Sequence, residues 1–287
     1  GVVALYQYYI LSLESAFYNQ MKIQSGDMAM SLGLFSFSIA FYFLDVKKSK
    51  LALFSVGCGI FGVLASILSF ARGGWIGVPI LLLILIFLYR HLLSKKLLLG
   101  GITFLCIISV VLTVNNKFVN RLSEAQYELK LYLSGDDKVS SIGERLDMWK
   151  IGSKAFLEHP ISGWGLKELD YYKKNLADKD IVTKASISFS HLHNQFIDEL
   201  AKKGILGGIA ILSIFIVPLH LFYRKVVDQG NKRIKFISIL GIIHVLSTII
   251  YCMSQAFLAH NSGNIFYFFV LFLFYSFMVN ESTTTSE

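Results

Sequence analysis

The stretch FISILGIIHVLSTIIYCMSQAFLAHNSGNIFYFFVLFLFYSFMVN, residues 236–280, contains no Asp, Glu, Lys or Arg. A helix crosses the hydrocarbon core of a bilayer with ~20 apolar residues, so this run is long enough for two crossings. The polar cluster Ser254, Gln255, His260, Asn261, Ser262, Gly263 and Asn264 divides it. The pattern predicts helices over about 236–254 and 265–280 joined by a short loop. Its apolar residues are continuous rather than alternating, which favours helices over the strands of a membrane barrel.

Further charge-free windows cover residues 28–44, 51–71, 73–89, 97–116 and 204–223. Seven spans result, and residues 1–10 read as the tail of an eighth. Pro79 and Pro218 fall inside spans, where bundle neighbours accommodate them. Across the 287 residues, 54% are hydrophobic and 16% charged, with 24 Phe and 14 Tyr beside 3 Pro. That balance excludes a water-soluble globule, a disordered chain and a fibrous repeat. The expected fold class is all-α, a polytopic transmembrane helix bundle. The chain opens on Gly1 inside an apolar stretch, which reads as an N-terminally incomplete chain with spans missing upstream.

Short loops holding Lys47, Lys48, Lys50, Arg90, Lys95, Lys96, Arg224, Lys225, Lys232, Arg233 and Lys235 alternate with loops holding only Lys22 and Arg72. The positive-inside rule places the first set in the cytoplasm. The formal net charge of +8 is then partly a topology signal, and nucleic acid is not an expected partner. By the same alternation residues 117–203 lie outside. This is the one long hydrophilic stretch, with 14 Lys/Arg and 13 Asp/Glu. The expected organisation is residues 1–116 as transmembrane helices, 117–203 as an external loop domain of short amphipathic helices, and 204–287 as three more spans and a tail. The span windows lack Asp, Glu, Lys and Arg, so a proton-coupled transporter or channel is disfavoured. Chemistry is expected at the external face.

Three external features carry residues suited to chemistry. In Ser69-Phe70-Ala71-Arg72-Gly73-Gly74-Trp75 a tight turn holds one Arg against the positive-inside trend, beside glycines that permit close approach. In Gly143 to Trp149, continuing to Glu158-His159-Pro160-Ile161-Ser162-Gly163-Trp164-Gly165, Arg145 is expected in a first helical turn. Ser141 and Glu144 would form a capping box there. Arg145 could present a bidentate fork to phosphate, or could simply pair with Glu144 or Asp147. In His191-Leu192-His193-Asn194, nine residues before Gly204-Ile205-Leu206-Gly207, His193 precedes a helix entering the membrane. Acid–base work suits this imidazole better than zinc, because no third and fourth ligand are evident outside. Residues two apart on a helix point about 200° apart, so His191 and His193 are expected on opposite faces. The two glycines are expected to pack that helix against its neighbours.

Together these residues resemble the membrane family of O-antigen ligases and O-antigen polymerases. His193-Asn194, residues 195–203 and Gly204-Ile205-Leu206-Gly207 resemble the ligase signature of His-Asn, nine residues and Gly-x-x-Gly. Arg72-Gly73-Gly74 resembles the family's Arg turn, and Arg145-x-x-x-Trp149 followed by His159-Pro160-x-x-Gly163-x-Gly165 resembles its outer-loop motif. The resemblance spans about residues 28–280. Family members usually have around a dozen spans, more than are present here.

The resemblance implies a GT-C-like bundle and a glycosyltransferase of the bacterial inner membrane, with its active site facing the periplasm. The donor would be a glycan on undecaprenyl diphosphate, the acceptor a sugar hydroxyl of lipid A–core, and membrane lipids would surround both. It implies His193 as base, with Arg72 and Arg145 on the diphosphate. Asn194, His191 and Trp149 would help to bind substrate, and neither metal nor cofactor is expected. An O-antigen polymerase is the nearest alternative. A transporter or flippase is a more distant one.

Overall fold

The computed structural model describes residues 1–17, 21–70, 72–75, 77–92, 116–135, 140–228 and 231–284, and it is all-α, with no strand among them. The helices are α1 (Val2–Leu5, running into a π turn Tyr6–Ile10), α2 (Lys22–Asp45), α3 (Ser49–Leu68), α4 (Val78–Leu88), α5 (Asn116–Ser134), α6 (Ser141–Glu158), α7 (Gly165–Asp178), α8 (Gln195–Val227), α9 (Lys232–Ser254) and α10 (Asn261–Thr284). Five of them, α2, α3, α8, α9 and α10, are long and apolar enough to cross a membrane. Large apolar side chains on α3 and α10, including Leu53, Phe54, Phe269 and Phe272, are exposed on the protein, as a lipid-facing surface requires. The chain is a multi-pass membrane protein.

The expected span 73–89 is shorter than its charge-free window. A single 3₁₀ turn covers Arg72–Gly74, and α4 begins only at Val78, with Pro79 in its first two positions. Proline lacks the N–H that an interior helical position must donate, so it sits where that donor is not needed. The expected span 97–116 lies outside the described residues except for Asn116. The other spans are found, and all are extended except that at 51–71, which becomes Ser49–Leu68. That at 28–44 becomes Lys22–Asp45 and so takes in Asp27.

The chain divides into two units, Gly1–Leu92 with Ile209–Glu287, and Leu93–Gly208. In the first, small residues bring α2 and α3 together: a β-carbon on Gly62 would stand 2.6 Å from the Gly33 Cα. Helix α9 is the most buried of the candidate spans. Its His244, fully buried, bonds through Nε2 to the Tyr267 carbonyl at 2.9 Å and packs among Phe35, Phe266 and Phe274. In the second unit a core of Met148, Ile151, Ala155, Leu169, Leu176, Val182, Leu192 and Ala201 joins α6, α7 and the start of α8.

Candidate active site

The motif residues of the long hydrophilic stretch all belong to the second unit, so they can be built up together. Helix α6 starts at Ser141, capped by Ser140, whose hydroxyl accepts from the Gly143 N–H at 3.0 Å. The Glu128 carboxylate accepts from the Ile142 N–H at 3.2 Å and places negative charge at the positive end of the helix. The cap is thus Ser140, and the expected Ser141–Glu144 box does not form. Arg145 consequently lies in the second turn. Asp147 does not answer it, because both its oxygens are engaged elsewhere. They accept from the Thr183 N–H at 2.7 Å, the Thr183 hydroxyl at 2.9 Å and the Tyr132 hydroxyl at 3.1 Å. Burial, and then the charge of Asp147, push the Tyr132 hydroxyl up to about 12, so it stays a donor.

Seven residues, two turns of helix, separate Arg145 from Gly152, and Trp149 lies between them on the same face. That face meets the histidine segment. A β-carbon on Gly152 would stand 2.7 Å from Leu192 Cδ1 and would collide with Ile197. Trp149 is half-buried against the loop core, and among the described residues its indole N–H has no hydrogen-bond partner.

The segment 191–194 is not helical, and α8 begins at Gln195. Leu192 is fully buried, and the rings of its two neighbours lie together. The expectation of opposite faces therefore does not hold. The rings of His191 and His193 meet edge to face at 4.5 Å, and Phe189 packs on His193 at 5.0 Å. His193 has φ +49°, a left-handed backbone uncommon outside glycine, and its surroundings hold it there. Those surroundings can be named. Asp198, buried, accepts from the Leu192 N–H at 3.0 Å and pairs with Lys202 at 2.7 Å. Lys202 also donates to the Ser190 carbonyl at 3.1 Å. Lys173, buried, donates to the Phe189 carbonyl at 3.1 Å and to Asp170 at 2.8 Å. Asn194 caps α8, its side-chain oxygen accepting from the N–H groups of Phe196 and Ile197 at 3.0 and 3.2 Å. Asp198, Lys173 and Gly152 were missed by sequence reasoning. Only the four-residue spacing of Asp198 and Lys202 could have signalled one of them.

The two glycines of Gly-x-x-Gly do not pack α8 against neighbouring helices. Gly204, at φ +60° and ψ −153°, breaks α8. A β-carbon on Gly207 would stand 2.7 Å from the Glu199 carbonyl oxygen, eight residues back. A straight helix would hold residues eight apart about 12 Å from each other, so the bend is sharp. The bend is stapled to the Pro160–Gly163 turn. Ile205 N–H donates to the Pro160 carbonyl at 2.8 Å and Trp164 N–H to the Ala201 carbonyl at 3.0 Å. Trp164 stacks on Tyr172 at 4.5 Å and receives the His159 ring edge-on at 4.3 Å. The outer-loop motif and the histidine motif are one construction.

Arg72 belongs to the first unit. Its backbone forms the 3₁₀ turn Arg72–Gly74, and its side chain lies outside what the structure describes. A β-carbon on Gly74 would stand 2.7 Å from Asp27 Oδ1, so this glycine is required by close approach.

Comparison with known proteins finds relatives of this chain. A family model described as O-antigen ligase matches residues 57–212, just over half of the chain. An uncharacterized protein of Haemophilus influenzae is 38% identical over 276 residues, 96% of this chain and 69% of its own length. An O-antigen ligase of Escherichia coli is 27% identical over 186 residues, 63% of this chain and 44% of that protein. The chain belongs to the O-antigen ligase family.

Proposed function

We propose that this protein is an O-antigen ligase, transferring polysaccharide from undecaprenyl diphosphate to a sugar hydroxyl of lipid A–core at the periplasmic face of the bacterial inner membrane. The observation that carries this is His193, held in a left-handed backbone by a buried, hydrogen-bonded frame just before the apolar part of α8. Backbone strain maintained by its surroundings is a mark of functional sites.

In this reading the acceptor hydroxyl gives its proton to His193 as its oxygen attacks the anomeric carbon of the donor sugar. The anomeric carbon–oxygen bond breaks, and undecaprenyl diphosphate leaves with the electron pair. Arg72 and Arg145 meet the diphosphate charge with planar, two-donor forks, which serve without a metal ion. His191 and Trp149 border the acceptor. Asn194 contributes by fixing the helix start beside the base. Both substrates are amphiphiles, so their head groups would meet at the membrane boundary.

Deletion of the gene, followed by a lipopolysaccharide gel, tests the assignment. A ligase leaves polymer on the carrier lipid and bare core. Core bearing a single repeat would identify a polymerase instead, and donor retained inside the cell would identify a flippase.

A further inference from the structure

The turn that staples α8 also carries an exposed apolar tip. Leu157, near the end of α6, Ile161, in the turn, and Leu166, at the start of α7, are 76%, 72% and 68% exposed. Residues 159–166 contain no Asp, Glu, Lys or Arg, within a stretch that is otherwise densely charged. The acid beside them, Glu158, is engaged, its carboxylate accepting from the Tyr172 hydroxyl at 2.6 Å. A single exposed aliphatic side chain is ordinary on a protein surface, but three within ten residues form a patch that calls for a partner.

The bonds of the turn set its depth. The Pro160 carbonyl accepts from the Ile205 N–H at 2.8 Å, and a β-carbon on Gly204 would strike the Ile161 carbonyl. Ile205 stands at the start of the charge-free run 204–223, directly after Lys202 and Lys203, where α8 passes from head groups into hydrocarbon. Leu206 beside it is 67% exposed, as befits a side chain that meets lipid. Ile161 is therefore held at the level of the lipid boundary, and its patch is continuous with the lipid-facing surface of α8.

We propose that Leu157, Ile161 and Leu166 form a membrane anchor: they dip into the boundary of the leaflet that α8 enters, and the phospholipid bilayer is the partner that covers them. Aliphatic side chains gain by leaving water there, and they need penetrate only the ~5–10 Å over which interfacial apolar faces are buried. The loop unit is then tied to the membrane at two places, through α8 and through the tip. Lipid contact at the tip is independent of any catalytic role of His193.

With natural cysteines changed to alanine, Leu157→Cys, Ile161→Cys and Leu166→Cys are each labelled with a small fluorophore. Lys179→Cys, exposed just beyond the far end of α7, is the control. The full chain is reconstituted in vesicles of phosphatidylethanolamine and phosphatidylglycerol, and two quenchers are compared: iodide on both sides of the membrane, and phospholipid brominated on its acyl chains. At 157, 161 and 166 brominated lipid is expected to quench at least about threefold more than at 179, and iodide at least about threefold less, because the tip lies at the depth of interfacial apolar faces. Iodide quenching equal to that at 179 overturns the proposal, since the tip would then stand in water. Protection from iodide without quenching by brominated lipid overturns it as well, because a second copy or another segment of the chain would then cover the tip.

Discussion

Gly163 and Gly204 stand back to back, so close that a β-carbon on Gly163 would strike the backbone from Lys202 to Gly204, and one on Gly204 would strike the Ile161 carbonyl. Both have positive φ, +66° and +60°. Each is therefore glycine for two reasons, backbone conformation and space. The pair fixes the bend in α8 at Gly204, and so the start of the helix that His193 precedes. Gly204→Ala is expected to impose about 1–3 kcal/mol of backbone strain in addition to the clash, because its φ and ψ are accessible essentially to glycine alone. Gly163→Ala should behave similarly. Each variant should insert in the membrane and lose most transfer, measured by glycan attachment to core at matched protein levels. Near-normal transfer in either would show that the bend does not position the site.

The contact between the histidine rings changes what each substitution should do. His193→Ala should lower transfer by roughly 10²–10⁴-fold, the range of general acid–base catalysis. His191 supports the His193 ring edge to face at 4.5 Å, so His191→Ala should cost a smaller amount, about tenfold. His191→Phe keeps the aromatic edge and should recover most of that loss, whereas His193→Phe should remain inactive. Equal activity of the two phenylalanine variants would deny that the two rings have different roles.

Arg72→Lys and Arg145→Lys keep the charge but lose the planar fork. Both should reduce transfer strongly with protein levels near normal, and transfer by the unaltered protein should persist in excess chelator. Activity lost to chelator and restored by magnesium or manganese would show that a metal carries the diphosphate charge.

Asp198→Ala removes the carboxylate paired with the Lys202 ammonium and the acceptor of the Leu192 N–H. Breaking a largely buried pair in this way costs about 3–5 kcal/mol. The thermal midpoint should fall, and proteolysis within the loop unit should quicken. Unchanged proteolysis would mean that the histidine segment is held by its apolar contacts alone.

Much of the membrane architecture was legible because charge-free windows report directly where helices can enter lipid. The errors have local causes. A window that stops at the first charged residue excludes Asp27, although α2 continues past it. Pro79 shortened α4 because a window does not count missing N–H donors. For the candidate site, residue types and spacings pointed to His193, Arg145 and the glycines, but their geometry was not readable. The side-by-side histidines go with the left-handed turn at His193 and the bonds from Asp198, Lys202 and Lys173 that hold its segment, and the bend at Gly204 with a turn forty residues earlier. Neither depends on the neighbouring sequence alone.

Orientation rests on the distribution of Lys and Arg. With natural cysteines changed to serine, Lys167→Cys should react with a reagent confined to the periplasm, and Lys48→Cys should react only after the inner membrane is opened. The reverse pattern would place the loop unit in the cytoplasm.

The most direct measurement reconstitutes the purified protein in liposomes with polysaccharide on undecaprenyl diphosphate and with lipid A–core. The account predicts that polysaccharide moves to core at a rate that His193→Ala reduces at least 10²-fold. It would be contradicted if core stayed bare while glycan on the carrier lengthened, or if His193→Ala transferred to core at the unaltered rate.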